Sequence, residues 1–183
     1  MHVDRPDMGH LVDILAEGVS RAVGSLFQEF HDHEFYYCSL ITTGDAAPPG
    51  LAAWSRQALA EAMAKERDVQ LRQWLKWSYA DSPFYPYGEV YLRPARDPLL
   101  SWPRPPAGTA DAVSECNATL LAMEEAMSRV ERSGVFGAGD RRSRIVVGVE
   151  VMPPDFSNVE RMRRLNPVEA LTDWLAEAVE PCP

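Results

Sequence analysis

His31, Asp32 and His33 place two imidazoles and a carboxylate within three residues, the donor types that zinc or iron takes. In an extended stretch His31 and His33 would share a face and could chelate, but a third ligand must come from elsewhere, and His2 and His10 are the only other histidines. The tripeptide reads better as a solvated turn between a helix and a strand, so no metal is expected. Asp81 and Glu89 could act as general acid and base if both lined one pocket. Asp81–Ser82–Pro83 reads equally as a turn in which the aspartate caps backbone amides. Ser, Cys and His are all present without a GxSxG elbow. Gly134, Gly137 and Gly139 precede a strand, whereas a dinucleotide fingerprint follows one and opens a helix. No cofactor is expected. Arg141, Arg142 and Arg144, with Arg161, Arg163 and Arg164, flank the last apolar strand and could hold a carboxylate or phosphate. Asp140, Asp155 and Glu160 lie near enough in sequence to neutralise them as surface pairs.

The strongest local departure is aromatic. Residues 74–92, WLKWSYADSPFYPYGEVYL, hold seven rings in a chain with five Trp, six Tyr and six Phe. Pro83, Pro86 and Gly88 interrupt the segment, so its rings cannot all face one helix or strand, and some should line a fixed surface loop. Trp77, Tyr79, Asp81, Phe84, Tyr85, Tyr87 and Glu89 are therefore the candidate partner-binding residues, the rings as anchors and the carboxylates as charge. Core and surface placement of Tyr79, Phe84, Tyr85 and Tyr87 weigh about evenly.

The surrounding elements follow from hydrophobic period. Met8, Leu11, Leu15, Val19, Val23, Leu26 and Phe30 recur every three or four residues, predicting a helix from an Asp7 cap, with Gly18 and Gly24 as weak points or places of close packing. FYYCSLITT (35–43) is apolar or β-branched on both faces, as in a central strand. A turn over 44–50 precedes an Ala-rich helix predicted for 51–66, and a short helix is predicted for 68–77 with Val69, Leu71, Trp74 and Leu75 inward. Residues 89–92 read as a short strand. Residues 93–108 carry five of the 15 prolines and read as an irregular loop, a possible lid. A long helix over 109–133, a strand over 144–152 (RIVVGVEVM) and a final helix over 168–179 complete the chain. The elements do not alternate regularly enough for a doubly wound sheet. The expected architecture is one α+β domain over residues 1–183, a small, mostly antiparallel sheet packed against several helices.

The order of these features, with Lys76, Trp77, Ser78 and Asp81 in the middle and Leu165, Asn166 and Pro167 near the end, resembles the bacterial domain of unknown function 4303 family. The chain departs from the family pattern after Asp81, offering Ser82–Pro83–Phe84 where a second Trp is common. The resemblance implies no established reaction. It implies a small bacterial protein, some of whose relatives look like immunity partners of polymorphic toxins.

With 27 acidic against 18 basic residues the formal charge is −9, which speaks against a nucleic-acid backbone as partner and either suits a basic protein partner or simply keeps the protein in solution. No window approaches a membrane span and the first residues lack an export pattern, so a cytoplasmic protein is expected, without a membrane partner. Cys38, Cys116 and Cys182 are odd in number and far apart, as free thiols in a reducing compartment would be. The functional expectation is a non-catalytic protein-binding domain of immunity type. The alternatives are a small-molecule or hydrolytic pocket under the proline-rich stretch, and a purely structural domain.

Overall fold

The computed structural model describes residues 7–178; His2, Cys182 and the predicted end of the last helix at Val179 lie outside them. Helix α1 (Met8–Glu29) starts where expected, with the Asp7 carboxylate accepting from Gly9 N at 2.9 Å. Its inward stripe, including Leu11, Leu15, Val19, Val23 and Leu26, is buried. Strand β1 (Phe35–Thr43) is central, pairing antiparallel with β2 (Gly50–Ser55) and parallel with β3 (Val146–Met152). The fold is α+β, its three-stranded sheet holding one antiparallel and one parallel pair.

Strand β2 corrects the predicted helix over 51–66. GLAAWS has helical composition, but its backbone pairs with β1 in the register Leu40↔Leu51 and Cys38↔Ala53, and Trp54 is fully buried. Tertiary pairing overrides the alanine preference. The helix proper, α2 (Arg56–Lys65), begins where Ser55 Oγ accepts from Ala58 N at 3.1 Å. Helix α3 (Val69–Leu75), capped by Asp68, is found, but only Leu75 of its predicted inward residues is buried; Trp74 is 62% exposed.

Helix α4 (Glu89–Ser101) corrects two expectations, the strand at 89–92 and the irregular loop from residue 93; only the stretch after Trp102 is irregular. Pro94 and Pro98 sit inside this helix and remove two backbone donors. Leu92, Ala95 and Leu99 nevertheless repeat at helical spacing on the face that packs against α1, and their burial outweighs the lost bonds. Two glycines make that packing possible. Gly88 opens α4 at φ +66°, where an added Cβ would lie 2.7 Å from Ala22 Cβ. At Gly18 a Cβ would lie 2.6 Å from the Tyr91 carbonyl oxygen, so here close packing is the reason for the glycine. Gly24, the other weak point, has open space around it.

Helix α5 (Ala110–Arg132), capped by Thr109, packs on α1 and against β3. A 3-10 turn (Gly139–Arg144) leads into β3, and α6 (Phe156–Leu165) and α7 (Val168–Glu177) close the chain. Leu171 and Trp174 of α7 are buried.

Both outer edges of the sheet are capped, which removes the unpaired row that invites strand addition. Beyond β2, Tyr87 N donates to Leu51 O at 2.9 Å and the Ser82 hydroxyl donates to Ala53 O. Beyond β3 the cap is made of side chains. Asn158 and Asn166 each accept from one β3 backbone N–H and donate to the carbonyl of the same β3 residue, at Val151 (2.8 and 3.0 Å) and Val147 (2.8 and 2.6 Å). Between them Arg161 Nε donates to Val149 O at 3.0 Å.

Candidate functional site

Residues 76–87 lie along the β2 edge as a strap, held there by three side chain to main chain hydrogen bonds and one between main chains. Tyr36 Oη donates to Lys76 O (2.6 Å), Trp54 Nε1 to Ser78 O (2.7 Å), and Ser82 and Tyr87 reach β2 as described. A strap held this firmly presents its remaining side chains at fixed positions, so a partner would lose little ordering entropy on binding them.

The seven predicted residues separate into three groups. Phe84 is 6% exposed and packs among Phe30, His33 and Phe35, with ring centroids 4.8–6.0 Å apart; as a partner contact it is a correction, because its ring is core. Trp77 and Tyr87 are half-buried and already engaged. Trp77 stands edge-on to Tyr36 and donates from Nε1 to Glu177 at 3.0 Å, while Tyr87 Oη donates to Glu29 at 2.7 Å. Among the described residues Tyr79 and Tyr85 hold no hydrogen bond through their hydroxyls, and Asp81 and Glu89 are exposed with only local partners, Ser78 and Arg96. The two tyrosines form an edge-to-face pair with centroids 5.0 Å apart and planes at 82°, both half-buried, and neither hydroxyl has a hydrogen-bond partner among the described residues. Asp81, in the turn closed by Ser82 N on Tyr79 O, is exposed and accepts from the Ser78 hydroxyl at 2.6 Å. Backbone capping in this turn falls to Ser82 instead, whose Oγ accepts from Phe84 N at 3.0 Å. Glu89 is exposed at the start of α4. The Tyr85 hydroxyl is pushed above its ordinary pKa by burial first, then by Tyr79 and Glu89.

A second polar group was not singled out from sequence. Tyr37, Ser39 and Glu150 lie on one face of the sheet beneath α6, whose Met162 covers Gly148. Tyr37 Oη donates to Glu150 Oε1 at 2.5 Å. Burial raises the Glu150 carboxyl above its ordinary pKa, and raises the Tyr37 hydroxyl as well. Ser39 Oγ is fully buried and makes no hydrogen bond of good geometry, although it lies close enough to both groups to interact with them electrostatically. The signal was a lone carboxylate on an otherwise apolar strand.

Arg142, Arg161 and Arg164 of the arginine cluster are engaged within the fold, but their hydrogen bonds and ion pairs do not go to Asp140, Asp155 or Glu160. Arg142, almost fully buried, donates to Ile145 O, Leu165 O and Asn166 Oδ1 and pairs with Glu131 at 3.1 Å, whereas Arg164 binds Glu124 at 2.6 Å. Arg142, Glu131, Arg164 and Asn166 line part of an open depression of about 670 Å³ between the 3-10 turn and α7, which also holds Asp140 and Glu169. It lies apart from the proline-rich stretch. There Arg104 donates to Asp45 O and Ala46 O and so pins residues after α4 to the β1–β2 connection. His33 Nδ1 meets Ser55 Oγ at 2.8 Å, and no group of three or more His, Cys, Asp or Glu among the described residues is placed to hold a metal. No helix among them is long and apolar enough to cross a membrane.

Fold and site together define a small α+β domain whose capped sheet carries a rigid aromatic and acidic strap. The match to the family model named Domain of unknown function (DUF4303) runs over residues 15–167, most of the chain, and the protein belongs to that family. No curated protein and no solved structure matches it. The motif residues that carried the resemblance have visible work in the fold: Lys76 pairs with Glu177 at 2.7 Å, Ser78 and Asp81 close the turn, and Asn166 caps β3.

Proposed function

We propose that this bacterial, cytoplasmic protein is a non-catalytic binding domain of the immunity type, which neutralises a basic toxin partner by docking it on the strap. The observation that supports this most is the Tyr79–Tyr85 pair, half-exposed with both hydroxyls unbonded within the described chain and Asp81 and Glu89 on the same strap and its exit. Aromatic rings on a rigid support give large contact area at small entropic cost, and carboxylates around them steer a positively charged partner. The net charge of −9 acts in the same direction at longer range.

The test is affinity capture from the host lysate with the tagged protein and its Tyr85→Ala variant side by side, after their melting temperatures are compared. A stoichiometric band held by the parent and lost by a variant that melts normally supports the proposal. A band that the variant retains, or no band with either protein, overturns it.

A further inference from the structure

We infer that the Tyr79–Tyr85 pair, with Asp81 and Glu89, is the seat for an arginine side chain presented by a basic protein partner. This deepens the reading above and rests on it. Among the described residues three other rings carry a cation from the chain itself: Arg21 lies 5.0 Å from the Tyr91 centroid, Lys76 5.0 Å from Trp77, and Arg56 6.0 Å from Tyr36. Among the described residues the Tyr79–Tyr85 pair has none, although both residues are partly exposed.

A guanidinium suits this arrangement better than an ammonium. It is planar, weakly hydrated and able to stack on a ring while its edge donates to several oxygens. The two free phenol oxygens and the two exposed carboxylates supply acceptors of that kind. Glu89 also meets Arg96 of its own helix at 3.4 Å, with both side chains more than half exposed. A solvent-exposed pair of that length contributes little, so an incoming arginine displaces it at small cost. Mixed charge elsewhere is less suitable: in the depression beside α7, Arg142 and Arg164 are both occupied by carboxylates of the chain.

The full chain, isotope-labelled, is titrated with nona-arginine and separately with nona-lysine at low salt, following backbone amide shifts and affinity. Asp81→Asn/Glu89→Gln is compared with Glu17→Gln/Glu61→Gln, which removes the same charge from two exposed helical pairs elsewhere. Tyr85→Phe, which keeps the ring face, accompanies Tyr85→Ala. The expected result is saturable shifts centred on residues 79–89, binding weakened about 5-fold or more by the site pair relative to the control pair, and a preference of about 3-fold or more for arginine. Tyr85→Phe, which keeps the ring face and loses one acceptor, should bind more weakly than the parent and more tightly than Tyr85→Ala. Equal weakening by both pairs, shifts spread over the acidic surface, or parity of the two peptides overturns the inference. A native partner captured undiminished by Asp81→Asn/Glu89→Gln removes this seat and leaves the binding reading intact. Localised arginine binding by a protein that captures no partner does the reverse.

Discussion

Glu150 is the residue whose chemistry differs most from its surroundings. Its carboxyl is buried under α6, accepts from the Tyr37 hydroxyl, and is held above its ordinary pKa by desolvation; Tyr37, Ser39 and the more distant Arg161 oppose that shift only in part. The consequence for stability has a definite sign. The unfolded chain releases this proton as pH rises through about 4.5, whereas the folded chain keeps it. The folded state then binds more protons than the unfolded one, so stability contributed at acid pH is lost progressively from about 4.5 upward to the folded value. Glu150→Gln keeps an acceptor for Tyr37 and has no proton to lose. It should melt higher than the parent at pH 8 and the difference should shrink toward pH 4; a difference independent of pH would refute the assignment. The Cys38 thiol, pushed up to about 12 by burial in the same sheet, is inert by the same desolvation.

Among the elements, the α1–α4 pair is the most demanding contact, because two helices meet where one of them contains two prolines. Gly18 and Gly24 lie on the same helix and should respond to alanine with opposite sign. At Gly18 the new Cβ meets a backbone oxygen, which cannot move without displacing α4, and overpacking of this kind costs about 1–3 kcal/mol. At Gly24 nothing lies within 4 Å, and alanine should stabilise by about 0.5–1 kcal/mol through helix propensity alone. Thermal melts of the two single variants check this directly. If both shift the same way, the close approach at Gly18 is not what holds these helices in register. The period of Leu92, Ala95 and Leu99 was present in the sequence, and the prolines around it concealed a helix whose stability comes from burial on α1.

For the whole molecule, the caps on the sheet block strand addition along its two outer edges. Asn158 and Asn166 stand eight residues apart, one within α6 and one just past its end, and mimic a fourth strand along β3. Replacing either by alanine leaves a β3 N–H and carbonyl unpaired, at about 1–3 kcal/mol for each buried group. The double variant Asn158→Ala/Asn166→Ala should melt well below the parent and self-associate through the opened β3 edge, visible as a concentration-dependent rise in scattering mass. A destabilised variant that remains at the parent's mass would place the resistance to strand addition elsewhere.

Local period and capping chemistry were enough to read α1 and its Asp7 cap, the central β1, α5, β3 and the α+β class, because each of these elements carries its pattern within its own residues. The aromatic strap was also legible as an unusual segment. Which of its rings are core was not, since Phe84 and Tyr85 are neighbours of the same chemical kind and only contact with Phe30 and Phe35, against contact with Tyr79, separates them. Strand β2 was hidden for the same reason: GLAAWS prefers helix by itself and becomes a strand only when β1 supplies its hydrogen bonds. The clasp of Asn158, Arg161 and Asn166 on β3, and the burial of Glu150 against Tyr37, join residues from elements that meet only after folding. Pairing, desolvation and exposure depend on those distant neighbours, so the tertiary structure alone decided them.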